Sequence, residues 1–214
     1  PQPRFGCNEP ARYQWGCLMP RLNAEGYPDS WETSAMWDGP LSVHFGYAQY
    51  GWVALSLLGG GVWTKAVVSL SHVYDPFDDL LAWLHSVADG ALPAVLTINE
   101  EGSRQRLEVR SYTGRYAADS DIEFRVTELD GGGLDLPGTP CRMLLRTTRA
   151  QLLQEFTHRL AAWLQHDYVA DDWSRVDPDN CEDAAEFADV CRRVDLRQCL
   201  DMAGLLQRVP LKAR

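Results

Sequence analysis

The stretch YGWVALSLLGGGVWTKAVVSLS, residues 50–71, decides the fold because it is strongly apolar and carries three consecutive glycines near its centre. From Gly39 to Thr64 no side chain is charged, unless His44 is protonated. Three structures are compatible with such a stretch at first sight: a membrane span, a phosphate-binding loop, or the interior of a water-soluble fold. The sequence distinguishes among them.

The first two structures are excluded by composition and spacing. A membrane helix needs about 20 predominantly apolar residues, whereas polar side chains and glycines interrupt this stretch and lower its mean hydropathy. A phosphate-binding loop needs GxxxxGK[ST], or GxGxxG at the start of a helix. Gly59-Gly60-Gly61 fits neither spacing, and the β-branched and aromatic residues that follow favour a strand.

We therefore predict a buried β-hairpin, with strands through about Trp52–Leu58 and Val62–Tyr74. Glycine supplies the positive φ angles that a tight hairpin turn requires. Apolar side chains occupy neighbouring positions in both strands, as in Leu57-Leu58 and Val67-Val68. This pattern predicts central strands that are covered on both faces.

Two helices are predicted from apolar residues at helical spacing. The first lies in DPFDDLLAWLHSVADG, residues 75–90, with Asp75 as N-cap, Pro76 at the first helical position and Gly90 at the end. The second, RAQLLQEFTHRLAAWLQH at 149–166, follows a capping box formed by Thr148 and Gln151.

The remaining periodic segments are strands. Residues 94–112 predict a second hairpin that turns around Glu100–Ser103, and residues 121–129 and 141–147 predict two further strands. Two strands, a helix, about four strands and a helix make an α+β fold. We expect a mostly antiparallel sheet of about six strands with two main helices packed on it.

The two ends of the chain lack this regular pattern. Residues 1–40 are rich in proline, glycine and aromatic residues, which predicts an ordered, irregular N-terminal wrap. Residues 167–180 form an acidic loop, and helices are expected at about 180–193 and 196–207. The predicted organisation is one α+β domain over 1–166, with 167–214 as an acidic loop and C-terminal helical extension packed on it.

Charge is concentrated in one window. The chain has a net charge of −10, and residues 167–190 alone hold nine acidic residues and one arginine, for a net charge of −8. Nucleic acid is an unfavourable partner for such a surface, whereas a basic protein is a complementary one. Aromatic residues among acids are typical of protein-binding hot spots, although a solvated, solubilising surface explains the charge equally well. The predicted partner-binding residues are Tyr168, Asp171, Asp172, Trp173, Asp177 and Asp179.

Catalytic and metal-binding motifs are not found. The five histidines show neither HExxH nor H-x-H spacing, and no GxSxG occurs. Residues 177–183, DPDNCED, lack the glycine of a calcium loop. The six cysteines contain no CxxC pair, and we expect mainly reduced thiols, with a Cys7–Cys17 bridge as the most plausible exception. No catalytic residue, metal or cofactor is predicted, and a cytoplasmic location without membrane association is expected.

The order of elements from residue 50 to 166 resembles the layout of small bacterial toxin-immunity proteins. The resemblance rests on the hairpin, the tryptophan-bearing helix DPFDDLLAWLHSV, the hairpin LTINEEGSRQRLEVRSY, the following strands and the long helix. It implies a non-enzymatic protein that neutralises a cognate toxin by stoichiometric binding, often through an acidic surface. It implies no catalytic residue and does not account for either end of the chain.

A second hypothesis remains open. The chain is then a small enzyme or ligand-binding protein whose site lies between the aromatic N-terminal segment and the sheet, with His72 or His44 involved. A deep pocket lined by tryptophan and histidine would favour this hypothesis, whereas a convex acidic face would favour the binding protein. The sequence identifies neither a partner nor an oligomeric state.

Overall fold

The computed structural model describes residues 40–59, 65–113, 121–129, 141–173 and 195–208. Within these ranges the chain forms seven strands, five helices and one 3-10 turn, His72–Tyr74. The strands are β1 Ser42–Phe45, β2 Trp52–Leu58, β3 Lys65–Ser71, β4 Ala94–Asn99, β5 Arg104–Ser111, β6 Asp121–Leu129 and β7 Cys141–Thr148. The helices are α1 Phe77–Ala88, α2 Arg149–His166, α3 Ala170–Trp173, α4 Leu196–Cys199 and α5 Met202–Arg208.

All strand pairs are antiparallel, and the strands form two sheets in the orders β1-β2-β3 and β4-β5-β6-β7. The α+β class and both predicted hairpins are confirmed. The difference from the sequence-based expectation is that the strands divide between two sheets. The short strand β1 was also not anticipated, because only four residues between Leu41 and Gly46 form it.

Carboxylates separate the two sheets at the edge of β3. The backbone N–H of Ser69 donates to Oε1 of Glu100 at 2.6 Å, and the hydroxyl of Ser71 donates to Glu101. On the opposite edge, the N–H of Val43 in β1 donates to Oε1 of Glu155 in α2 at 3.3 Å. Side chains thus occupy backbone donors on both edges of the three-stranded sheet, which blocks further strand pairing there.

The first hairpin buries one face only. Leu55 and Leu57 are fully buried, whereas Leu58 and Val67 remain 44% and 47% exposed. The expectation that both faces are covered is therefore wrong. The physical reason is that β2 and β3 alternate strictly along most of their length, and their inward side chains join one core with α1 and α2.

The helix termini agree closely with the sequence. Helix α1 begins at Phe77 with Pro76 as its N-cap, one residue later than expected, and a carboxylate oxygen of Asp75 accepts from the N–H of Phe77 at 3.4 Å. Gly90 follows the helix with a φ of 74°, a conformation that favours glycine. The capping box of Thr148 and Gln151 at the start of α2 is confirmed.

The described part of the C-terminal segment packs on the same core as the sheets. Leu196, Leu200 and Leu205 are buried and belong to the core cluster, and α5 contacts both α1 and α2. Among the residues that the structure describes, no helix is both long and apolar enough to cross a membrane. Nearly all of the predicted wrap over 1–40, namely residues 1–39, lies outside the described residues. The same holds for the predicted helix at 180–193 and for Cys7, Cys17, Asp177 and Asp179.

Candidate functional site

The short helix α3 carries three of the predicted partner-binding residues at one end of the three-stranded sheet. Asp171 is exposed and Asp172 is half-buried, as a surface role requires. Their backbone is attached to the body of the protein, because the N–H of Gly51 donates to the carbonyl oxygen of Asp172 at 3.1 Å. This hydrogen bond holds in place the backbone turn that carries both carboxylates.

Trp173, the last residue of α3, is a core residue. Its side chain is 0% exposed and meets the rings of Phe77 and His72 edge to face, at centroid distances of 5.3 and 5.5 Å. The expectation of an exposed aromatic anchor is wrong at this position. Burial of its large apolar surface against α1 outweighs the acidic character of its sequence neighbours.

Tyr168 is also buried, at 3% exposed, and it attaches the C-terminal helices. Its hydroxyl accepts from the N–H of Leu196 at 3.2 Å, and its carbonyl oxygen accepts from the guanidinium of Arg197 at 2.8 Å. Burial raises the pKa of the phenol above its usual range. The expectation that Tyr168 is exposed is therefore wrong, because its ring packs 5.1 Å from that of Trp163.

Two exposed tyrosines, which sequence analysis did not single out, lie beside α3. Tyr50 and Tyr74 are 40% and 51% exposed. Tyr50 lies in a two-residue turn that links Gln49 to Trp52 by reciprocal backbone hydrogen bonds of 2.9 and 3.0 Å. Tyr50 and Gly51 have φ angles of 49° and 77°, as hairpin turns of type I′ require. In the sequence, the only sign of this turn was the Tyr-Gly pair directly before a strand.

Backbone hydrogen bonds bring these tyrosines to the acidic turn. Gly51 bonds to Asp172, and the N–H of His72 donates to the carbonyl oxygen of Gly51 at 2.8 Å. Standard backbone dimensions then place the α-carbons of Tyr50 and Asp171 within about 15 Å of each other. We call the set Tyr50, Tyr74, Asp171 and Asp172 the tyrosine–aspartate surface.

Further carboxylates extend this surface. Asp75 follows Tyr74 directly, and Asp78 and Asp79 are exposed in the first turn of α1. Burial, with a smaller contribution from the charges of Asp78 and Asp79, raises the pKa of Asp75. The concentration of negative charge favours a cationic partner group at this end of the molecule.

The outward face of the four-stranded sheet is the main alternative surface, but its charges neutralise one another. Arg110 pairs with Glu108 at 2.7 Å and Arg125 with Glu123 at 2.9 Å. Arg146 pairs with Asp121 at 2.7 Å. A partner would have to compete with these intramolecular ion pairs, which makes this face the weaker candidate.

His44 and His72, the histidines of the enzyme or ligand-binding hypothesis, lie apart from each other in the fold. His44 is exposed on β1 opposite Ser56, whereas His72 is half-buried against Trp173. Within the described residues no group of three or more His, Cys, Asp or Glu side chains could hold a metal ion. Burial raises the pKa of the Cys141 thiol to about 11, which makes it a poor nucleophile at neutral pH.

Comparison of the chain with models of protein families, with curated proteins and with solved structures finds no match.

Proposed function

We propose that the chain is a non-enzymatic binding protein of the immunity type, which neutralises a basic, toxin-like protein by stoichiometric binding. The observation that carries this proposal is the tyrosine–aspartate surface. Tyr50 and Tyr74 are exposed large aromatic side chains, and backbone hydrogen bonds connect the turns that carry them to the turn that carries Asp171 and Asp172.

The chemistry of this surface suits recognition of a protein. Tyrosine combines a large contact area with few rotatable bonds, and it is enriched in binding hot spots. Exposed valines, Val73 and Val169, lie next to the surface in the sequence and extend its apolar part. A standard interface buries about 800 Å² on each partner, which is enough to include all these residues in one patch.

The carboxylates have a different role from the tyrosines. Long-range attraction between acidic and basic surfaces accelerates encounter, whereas close packing of aromatic side chains slows dissociation. We therefore assign steering to Asp171 and Asp172, and anchoring to Tyr50 and Tyr74. Trp173 and Tyr168 act indirectly, because they hold α3 and the C-terminal helices on the core.

A comparative capture experiment tests the proposal. The bait proteins are the wild type and the quadruple variant Tyr50→Ala, Tyr74→Ala, Asp171→Asn, Asp172→Asn, each incubated with lysate of the source cell. We expect one basic protein to be enriched by the wild type and lost with the variant. That protein should arrest growth when produced alone, and co-production of the wild-type chain should restore growth.

The matched control is Leu58→Ala, which removes a side chain of 44% exposure at the end of β2 opposite to Gly51. This variant should capture the same protein as the wild type. Equal capture by the quadruple variant would refute the proposed surface. Capture of a partner whose toxicity the chain does not relieve would refute the immunity function.

A further inference from the structure

The residue beneath the tyrosine–aspartate surface is a histidine in an apolar setting. His72 is half-buried, and the edge-to-face contact with Trp173 places its ring against the residue that fixes α3 in the core. Its own backbone N–H holds Gly51, which in turn holds Asp172. His72 therefore connects physically to both segments that display the surface.

The neutral form of this histidine fits the setting better than the cation. Burial lowers the pKa of His72 below its ordinary value of 6.5, and the negative charge of Asp75 opposes this shift only in part. A protonated ring would place a charge in the partly buried contact with Trp173, where burial removes part of its solvation. In the described residues the indole N–H of Trp173 is itself buried without a hydrogen-bond partner.

We propose that protonation of His72 releases α3 from the core, so that the chain presents the tyrosine–aspartate surface at neutral pH and loses its fixed geometry at mildly acidic pH. The physiological meaning of this pH-dependent release of α3 rests on the proposed function, whereas the release itself does not depend on that function.

Burial of the His72 ring determines the direction of the effect, and the nearby charges modify it. The unfolded chain binds a proton at His72 below about pH 6.5, whereas the folded chain resists it, so the attachment is fully stable above this pH and weakens as pH falls. Burial raises the pKa of Asp75, so its titration acts in the opposite direction and favours the folded state as pH falls. The other titratable groups on the elements around His72 are Asp78 and Asp79 on α1, Glu101 at Ser71, Tyr168, and Asp171 and Asp172 on α3.

The test uses the free protein and nuclear magnetic resonance between pH 7.5 and 5.0. The reporters are the indole N–H of Trp173, assigned by its loss in Trp173→Phe, and the exchange protection of the Gly51 amide. We expect both to change with a midpoint below 6.5, and the protection of Gly51 to fall about tenfold or more when α3 is released. In His72→Phe, which keeps an aromatic ring but cannot be protonated, both reporters should stay constant.

The control variant is His158→Gln, because His158 is exposed on α2. It should retain the wild-type pH response. Reporters that stay constant in the wild type, or that respond equally in His72→Phe, would overturn the proposal. If His72→Phe fails to fold, direct titration of the His72 imidazole resonance decides, and a midpoint at or above 6.5 would also overturn it. No partner is used, so a failure of the proposed function leaves the result interpretable.

Discussion

Trp173 stabilises the fold and is not available as a contact residue for a partner. Its side chain is fully buried against Phe77 and His72. Replacing it by alanine should lower the free energy of unfolding by about 3–5 kcal/mol, because a large cavity is left in the core. Urea denaturation followed by circular dichroism measures this loss.

The matched control is Tyr74→Ala, which removes an exposed ring and should change the free energy of unfolding by less than about 0.5 kcal/mol. A Trp173→Ala variant as stable as the wild type would show that α3 is not anchored in the core. The same result would return Trp173 to the list of candidate contact residues.

The thiol of Cys141 offers a second test at this scale. Because burial raises its pKa to about 11, native Cys141 should react with iodoacetamide at pH 7.5 much more slowly than an exposed thiol. Mass spectrometry of a Cys141 peptide measures the rate. In denaturant without reductant, four or more thiols of the chain should react, and finding none would contradict the expectation of mainly reduced cysteines.

The sequence predicted the surface position of the acidic side chains better than it predicted the position of the neighbouring aromatic rings. The exposure of Asp171 and Asp172 could be predicted from local composition, because clustered carboxylates almost always remain in contact with water. The burial of Tyr168 and Trp173 could not be predicted in this way, because it depends on packing against α1 and the C-terminal helices, which are distant in sequence. Tyr50 and Tyr74 were overlooked for the same reason, since their proximity to α3 arises only through Gly51 and His72.

At the scale of elements, the first hairpin makes an internally controlled prediction. Leu57→Asp should abolish cooperative unfolding, because it places an unpaired charge in the core. Val67→Asp, on the exposed face of the neighbouring strand, should remain folded with a small loss of stability. Thermal melts followed by circular dichroism compare the two variants.

Equal melting temperatures for Leu57→Asp and the wild type would mean that β2 is not central. Unfolding by Val67→Asp would mean that the second face is covered after all. The two outcomes are independent, so the pair of variants tests the position of the sheet and its one-sided burial separately.

Elements with local signals were predictable, and their arrangement was not. The capping box at Thr148 and the turn at Glu100–Ser103 are set by neighbouring residues, and both appear as expected. The one-sided hairpin was missed because Leu58 and Val67 are apolar yet exposed, so residue type did not reveal the buried face. The boundary between the two sheets involves contacts that are distant in sequence, such as the hydrogen bond between Ser69 and Glu100, which lie 31 residues apart.

At the scale of the whole molecule, the charges separate two kinds of surface. On the four-stranded sheet, arginines and carboxylates form mutual ion pairs, whereas the carboxylates around α3 add to one another. A net charge of −10 repels phosphate groups and attracts basic surfaces at long range. We therefore assign binding to the end of the three-stranded sheet.

The most direct test of this assignment is the salt dependence of the association rate with the captured partner, measured by stopped flow. Replacing Asp171, Asp172, Asp177 and Asp179 by asparagine should lower the rate about tenfold at low salt and flatten its salt dependence. Tyr50→Ala or Tyr74→Ala should instead accelerate dissociation, by an amount equivalent to about 2 kcal/mol for a hot spot. The control Glu123→Gln, on the ion-paired face of the four-stranded sheet, should leave both rates near those of the wild type. Unchanged rates in the aspartate and tyrosine variants, with a loss of binding in Glu123→Gln, would contradict this assignment and place the interface on the four-stranded sheet.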